Sequence, residues 1–348
     1  MRPKKWLKNY LKNVLKHHGY EIQKSSSSYE WQKLAKESPV YNESKLPKGS
    51  ENYFQYNNPR LKELKERYAL FDGNVITPLL WTENHVSPDD IKYFRGDNAY
   101  VWQLRGKSMN IFGYVLSTYY VKSIDYLGLL EKLTEDPYFG NIYFHIDNKI
   151  ISRDLLDSII EIYFLEKHLS ISSINDLNIL DIGAGYGRLA HRMITALPNI
   201  RSYLCTDAFA YSTFISEYYI RYRNLEDKAK VVPLDEIEKV LTAEKIDIAI
   251  NIHSFSECKT AAIEWWLSLL EKNKIKYLMI VPNEMPGIEN VLLTNDNINF
   301  QEIIERHGYK LITKAPKYSD STVQEYAINP TYYYLFEFEK ASSRLITE

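Results

Sequence analysis

The residues with the most chemical potential stand in one run, Asp181-Ile182-Gly183-Ala184-Gly185-Tyr186-Gly187-Arg188. An apolar stretch with strand character, 178–182, leads into it, and a stretch with helical periodicity, 188–197, leads out. Glycines at such a junction permit a sharp turn and let a ligand approach the backbone. The helix that follows offers free N–H groups to a polar ligand. Asp207 ends the next strand-like stretch, 202–206, where a carboxylate can accept hydrogen bonds from both hydroxyls of a ribose. A dinucleotide fingerprint requires a sixth-position glycine, and that position is Arg188.

A second chemical run, Asn251-Ile252-His253-Ser254-Phe255-Ser256-Glu257, follows another apolar strand, 246–252. Residues just past the carboxyl ends of parallel strands line the ligand crevice of such folds. Histidine titrates near neutrality and suits a general base that takes a proton from a hydroxyl. Glu257 lies four residues on, so a helical turn places both on one face, where the carboxylate can orient the ring. The competing reading is that the pair shapes the cofactor pocket or caps the next helix. No third ligand accompanies the pair, so no metal is expected.

These runs need a frame. From residue 174 the chain alternates short apolar strands with amphipathic helices: strands at 178–182, 202–206, 230–232, 246–252 and 275–281, and helices at 188–197, 211–222, 235–241 and 260–270. Such alternation predicts an α/β, doubly wound, mostly parallel sheet covered on both faces. After a helix at 301–307, strands at 310–314 and 332–338 follow one another without an obvious helix, so the last strand is expected to be antiparallel. A long helix is predicted to about Leu169, with Ser152 as its cap and Asp154 in its first turn.

The Asp-x-Gly-x-Gly-x-Gly spacing resembles the first motif of class I methyltransferases, in which that loop cradles the methionine part of S-adenosylmethionine. The mixed sheet is similar to the Rossmann-like fold of the same class. The segment after the fourth parallel strand lacks the Asp/Asn-Pro-Pro-Tyr signature of enzymes that methylate nucleobase amines. Four segments in order, Phe94-Arg95-Gly96-Asp97-Asn98-Ala99-Tyr100-Val101-Trp102-Gln103, Ser152-Arg153-Asp154-Leu155-Leu156-Asp157-Ser158, the glycine loop and 251–257, resemble the bacterial sugar O-methyltransferase family. The resemblance runs from about Pro59 to the C-terminus. It implies S-adenosylmethionine as cofactor and a hydroxyl of a surface glycan or its precursor as acceptor.

The expected cofactor contacts are then Asp181, Gly183, Ala184, Gly185, Tyr186, Gly187, Asp207, Ala208, Leu234, Asn251 and Arg153. His253 and Glu257 are the expected catalytic pair. Arg95, Asp97, Tyr100 and Trp102 are the candidates for acceptor binding. A guanidinium can hold a phosphate or acidic sugar through paired bonds, and tryptophan can stack on a sugar face. The alternative for Arg95 and Asp97 is an internal ion pair that fixes a loop. Tyr186 or Trp102 could face the sulfonium through a cation–π contact. Other readings of the same motifs are methylation of a different small hydroxyl- or amine-bearing metabolite, and a non-catalytic module that binds the cofactor and recruits glycan-assembly partners.

Composition bounds the rest. The 348 residues suggest two domains, and a formal net charge of −2 argues against a nucleic-acid partner. Two cysteines, Cys205 and Cys258, form no disulfide or metal pattern and fit a cytoplasmic protein. No apolar run reaches membrane-spanning length, and no secretory signal is evident. Residues 4–16 form a basic amphipathic helix that would suit peripheral contact with the inner face of an anionic membrane, or docking on protein. The expected organisation is a basic helix at 1–24, a mainly helical substrate-recognition or lid region at 25–150, and a cofactor-binding domain at 151–340. Composition says nothing of the oligomeric state.

Overall fold

The computed structural model describes residues 45–79, 86, 91–95, 111–283 and 291–339. The stretch 4–16, expected as a basic helix, lies outside them, as do Asp97, Tyr100 and Trp102.

The first long helix, α1 (Pro59–Ala69), starts where Asn58 accepts the Arg60 N–H and Pro59 takes the first turn. Helix α2 spans Ile111–Ile124, although Tyr, Leu and Val recur at helical spacing from 111 to 133. Asp125 breaks it: its carboxylate accepts the N–H groups of Leu129 and Leu130 and the Tyr163 hydroxyl, and Gly128 turns left-handed. A hairpin then pairs β1 (Tyr143–Ile146) with β2 (Lys149–Ser152) through Asp147 and Asn148, both at positive φ. Ser152 caps α3 (Arg153–Leu169) as expected, its hydroxyl accepting the Leu155 N–H at 3.0 Å.

The α/β part follows the predicted alternation. It comprises β3 (Leu177–Ile182), α4 (Arg188–Ala196), β4 (Ile200–Thr206), α5 (Ala210–Tyr222), β5 (Ala229–Val231), α6 (Ile237–Ala243) and β6 (Ile248–Ile252). Next come the short α7 (Ser254–Glu257), α8 (Thr260–Lys272), β7 (Tyr277–Val281), α9 (Gln301–Arg306), β8 (Tyr309–Pro316), α10 (Ser321–Tyr326) and β9 (Tyr332–Phe338). The expectation of no helix before the last strand missed α10, a single short segment capped by Asp320.

The seven strands are ordered β5-β4-β3-β6-β7-β9-β8. Only β9 runs against its neighbours, as the sequence pattern predicted. Every residue of β6 is buried, as a strand covered on both faces requires. Strand alternation divides two cores. Leu180, Ile182, Ala249, Leu278 and Ile280 face one, with α1, α5 and α8. Leu177, Ile179, Ile250, Met279 and Leu335 face the other, with α2, α3 and α4. Residues before 151 contribute to both cores. Among the described residues, no helix is long and apolar enough to cross a membrane.

Candidate active site

Strand order reverses at β3, which lies between β4 and β6, and the chemical residues gather at the carboxyl ends of these three strands. The ladder registers Ile182 opposite both Thr206 and Asn251, so the glycine loop, Asp207 and the His253 turn leave the sheet side by side. Gly183, Gly185 and Gly187 all have positive φ, at 74°, 57° and 85°. At Gly183 the requirement is strictest, because a Cβ would overlap Ser254 of the neighbouring turn. Gly183 to Gly185 and Asp207 to Phe209 stay half-exposed, whereas the helix start behind them is buried.

Asp207 ties the crest together. One carboxylate oxygen accepts the Gly185 N–H at 3.1 Å and the other accepts the Phe209 N–H at 2.8 Å. Burial pushes this carboxyl up to about 6, against the opposing pull of those two N–H groups. Ala208 follows it in the half-exposed crest, and Leu234 is buried in the turn that follows β5. Asn251 is fully buried. Its amide donates to the Ile182 carbonyl at 2.9 Å and its oxygen accepts the Phe255 N–H at 2.9 Å, so it links the two crest turns. Asp181 lies under the loop rather than in it. It accepts the Tyr203 hydroxyl at 3.0 Å, and burial raises its carboxyl to about 7.

Two expected ligand contacts are overturned by burial. Tyr186 is 1% exposed, and its hydroxyl donates to Asp154 at 2.6 Å. Its ring packs on Phe94 and Tyr219, so it offers no face to a sulfonium. Arg95 is fully buried and pairs with Glu135, Asp136 and Asp154 at 2.5, 3.0 and 2.9 Å. It binds the protein's own carboxylates and cannot hold an acceptor. Arg192 joins this cluster through Glu135 at 2.7 Å and Asp154 at 3.4 Å. Asp154, expected only as an acid in the first turn of α3, is the centre of this cluster. Burial alone would raise its carboxyl, but the guanidiniums of Arg192, Arg95 and Arg188 hold it far below the usual range.

A second charged group sits nearer the crest. Asp157 accepts from Lys317, at 2.5 Å, and from Arg153 Nε, at 3.2 Å. Arg153 thus shares Asp157 with a lysine from the far end of the sheet. His253 is near enough to feel both, and is 4% exposed. Burial, reinforced by the Arg153 guanidinium, pushes its imidazole down to about 3. His253 also carries backbone strain, with φ of 65° at a non-glycine residue. Its N–H donates to the Val281 carbonyl at 2.6 Å, which holds that conformation. His253 precedes α7 and Glu257 ends it; the positive φ of His253 takes it out of the helical turn that the spacing suggested, and Glu257 accepts the Asn283 amide at 3.1 Å. Sequence reading passed over Asp157, Lys317 and Ser254. Lys317 lies in no motif, Asp157 stands in the 152–158 segment without a chemical cue of its own, and Ser254 matters only because Gly183 lies against it. Among the described residues no cluster of His, Cys, Asp and Glu could hold a metal ion.

No family model matches the chain. A release factor glutamine methyltransferase of Flavobacterium psychrophilum is 36% identical over 67 residues, which span 19% of this chain and 23% of that protein. Among solved structures, an S-adenosylmethionine-dependent methyltransferase from Clostridium acetobutylicum covers 53% of this chain and 91% of its own, at 11% identity and TM-score 0.37. M. capricolum TrmK in complex with S-adenosyl-homocysteine covers 49% and 67%, at 15% identity and TM-score 0.33. The [4+2]-cyclase SpnF covers 65% and 95%, at 11% identity and TM-score 0.38. Likenesses this distant carry no activity across. The strand order and the single antiparallel strand, read from the sheet itself, give this chain the doubly wound, Rossmann-like fold of class I methyltransferases.

Proposed function

We propose that this chain is an S-adenosylmethionine-dependent methyltransferase whose acceptor is a sugar hydroxyl of a surface glycan or its precursor. The observation that supports it best is the joining of Gly185 to the half-exposed Asp207 at the point where strand order reverses. Three positive-φ glycines and a carboxylate at the end of the adjacent strand fit a nucleoside with an amino-acid tail. Asp207 would accept from the ribose hydroxyls, and Gly183 to Gly185 would pass close to the tail. When bound, the cofactor supplies an electrophilic methyl group on a sulfonium. The protein's part is to hold a hydroxyl oxygen in line with that methyl and to take the hydroxyl proton.

His253 is the residue we assign to the proton. At neutral pH an imidazole held near 3 is unprotonated and can accept. It is a weak base, so it takes the proton late, once the acceptor oxygen has bonded to the methyl and become strongly acidic. Glu257 and Asn283 shape the same turn. The acceptor class rests on the resemblance of the four sequence segments. A net charge of −2 offers no general attraction to a phosphate backbone.

The decisive experiment is transfer of labelled methyl to nucleotide sugars, glycan fragments, small metabolites and RNA, with wild type and His253→Ala. We expect label in a sugar acceptor, and a loss of about 100-fold or more in turnover for the variant with cofactor affinity kept. Label only in RNA or in a non-sugar metabolite would replace the acceptor proposed here. Full turnover in His253→Ala would remove that residue from the chemistry. Tight cofactor binding with no transfer at all would favour a binding module.

Asp207 gives a pH test. Its carboxyl ionises near 6, and ribose hydroxyls donate best to the ionised form. Affinity for S-adenosylhomocysteine should therefore weaken as pH falls through about 6. Asp207→Asn should bind about tenfold more weakly at pH 8 and lose the pH step. Calorimetry from pH 5 to 8 checks this; a pH-independent wild type would rule Asp207 out as the ribose acceptor.

A further inference from the structure

Among the described residues, several contacts join the chain ahead of the sheet to the crest, and three of them reach the turns that carry the candidate site residues. Leu79 N–H donates to the Glu257 carbonyl at 2.7 Å, beside the His253 turn. Arg95 meets the glycine loop through Asp154 and Tyr186. The third contact is Tyr68, near the end of α1. Its hydroxyl lies 2.9 Å from Thr213 Oγ1 and accepts the Leu234 N–H at 2.9 Å.

Those two partners follow different strands. Thr213 sits in the first turn of α5, six residues after Asp207, whose carbonyl its hydroxyl also approaches at 3.4 Å. Leu234 follows β5. The connection between β4 and β5 ends with the Val232 N–H on the Cys205 carbonyl, at 2.8 Å. Beyond that bond the Tyr68 hydroxyl joins what the sheet no longer joins. Helix α1 is fixed above it by two arginines. Arg60 holds Glu217 of α5, at 2.5 Å, and Arg67 holds Asp235 and Glu236, at 2.8 and 2.5 Å. Tyr68 is 4% exposed, and burial raises its hydroxyl, so it remains a donor for Thr213 while it accepts from Leu234.

We propose that Tyr68 is a positioning residue for the nucleoside half of the cofactor. It holds the loops that carry Asp207 and Leu234 at the separation a nucleoside needs. The proposal rests on the methyltransferase reading above. It makes α1 part of the cofactor site rather than of an acceptor domain. A slot held open before binding spares the ligand the cost of ordering two loops.

The test is Tyr68→Phe in the full chain, which keeps the ring and removes the bridge. S-adenosylhomocysteine and 5′-methylthioadenosine are the probes, in calorimetry that reports both affinity and stoichiometry. Affinity for each should fall about fivefold, the size of one lost hydrogen bond, with one site per chain retained. Loss for methylthioadenosine as well as for the full nucleoside places the defect at the nucleoside half. Tyr309→Phe is the control. That buried hydroxyl donates to the Ile275 carbonyl at the opposite end of the strands, and its removal should leave affinity alone. If Tyr68→Phe lowers only stoichiometry or melting temperature, with affinity unchanged, Tyr68 is a packing residue and the proposal fails. If the wild type binds neither probe, the methyltransferase reading fails first and takes this inference with it.

Discussion

Gly183→Ala is expected to weaken S-adenosylhomocysteine binding by roughly 100-fold while leaving a folded protein. Two costs combine. A non-glycine residue at φ of 74° costs ~1–2 kcal/mol. The added methyl must also displace Ser254, whose Cβ and Oγ already occupy its space, at a further ~1–3 kcal/mol. The turn can relieve both only by moving away from the His253 turn. That movement also breaks the line from Gly183 and Ala184, which donate to the Thr206 carbonyl at 2.9 and 3.0 Å, to Asp207. Calorimetry for affinity and circular dichroism for folding measure the effect. Gly183→Ala binding within threefold of wild type would mean that the loop does not seat the ligand. The same contact packs the glycine loop directly against the His253 turn.

What the sequence disclosed follows from the range of each interaction. The β3-turn-α4 unit was legible because strand periodicity, glycine spacing and helical periodicity are local. The Ser152 cap was legible for the same reason. The β1–β2 hairpin was missed although its signal was present. Asp147-Asn148 between short apolar runs is a two-residue turn with both positions suited to positive φ. The charged cluster was not legible. Arg95, Glu135, Asp154 and Arg192 are spread over nearly a hundred residues, and an arginine beside an acid in a segment gives no sign of being fully buried. Arg95 looked like an acceptor ligand because exposed arginines outnumber buried ones. Tyr186 looked like a cofactor contact because of its place in the loop, yet a side chain between two positive-φ glycines can turn under the backbone as easily as over it.

The region before residue 151 changes meaning in the same way. A mainly helical segment ahead of a cofactor domain invites the idea of a separate recognition unit. Its described residues instead share both cores of the sheet and contact the turns after β3, β4, β5 and β6. It braces the crest through these contacts.

The buried charges under the glycine loop make the last prediction a large one. Asp154 accepts from Arg95, Arg192 and Tyr186 at once. In Asp154→Asn the shape is kept, but both guanidiniums lose one carboxylate and remain buried. Removing one partner from such a cluster costs ~3–5 kcal/mol, because the desolvation of the others is left uncompensated. For a chain of this length that is about a 4–7 °C fall in melting temperature at pH 7. The sign with pH is fixed. The folded carboxyl is held below its unfolded value near 4, so its contribution is complete above about pH 4 and is lost as pH falls further. The gap between wild type and Asp154→Asn should therefore be widest at neutral pH and narrow on acidification. Cofactor affinity should fall too, because Tyr186 loses the charged acceptor that anchors the loop from below. Thermal melts of both proteins from pH 7 down to 3 test the argument. Equal melting temperatures at pH 7, or a gap that widens in acid, would mean that the surrounding carboxylates of Glu135 and Asp136 neutralise the arginines without Asp154.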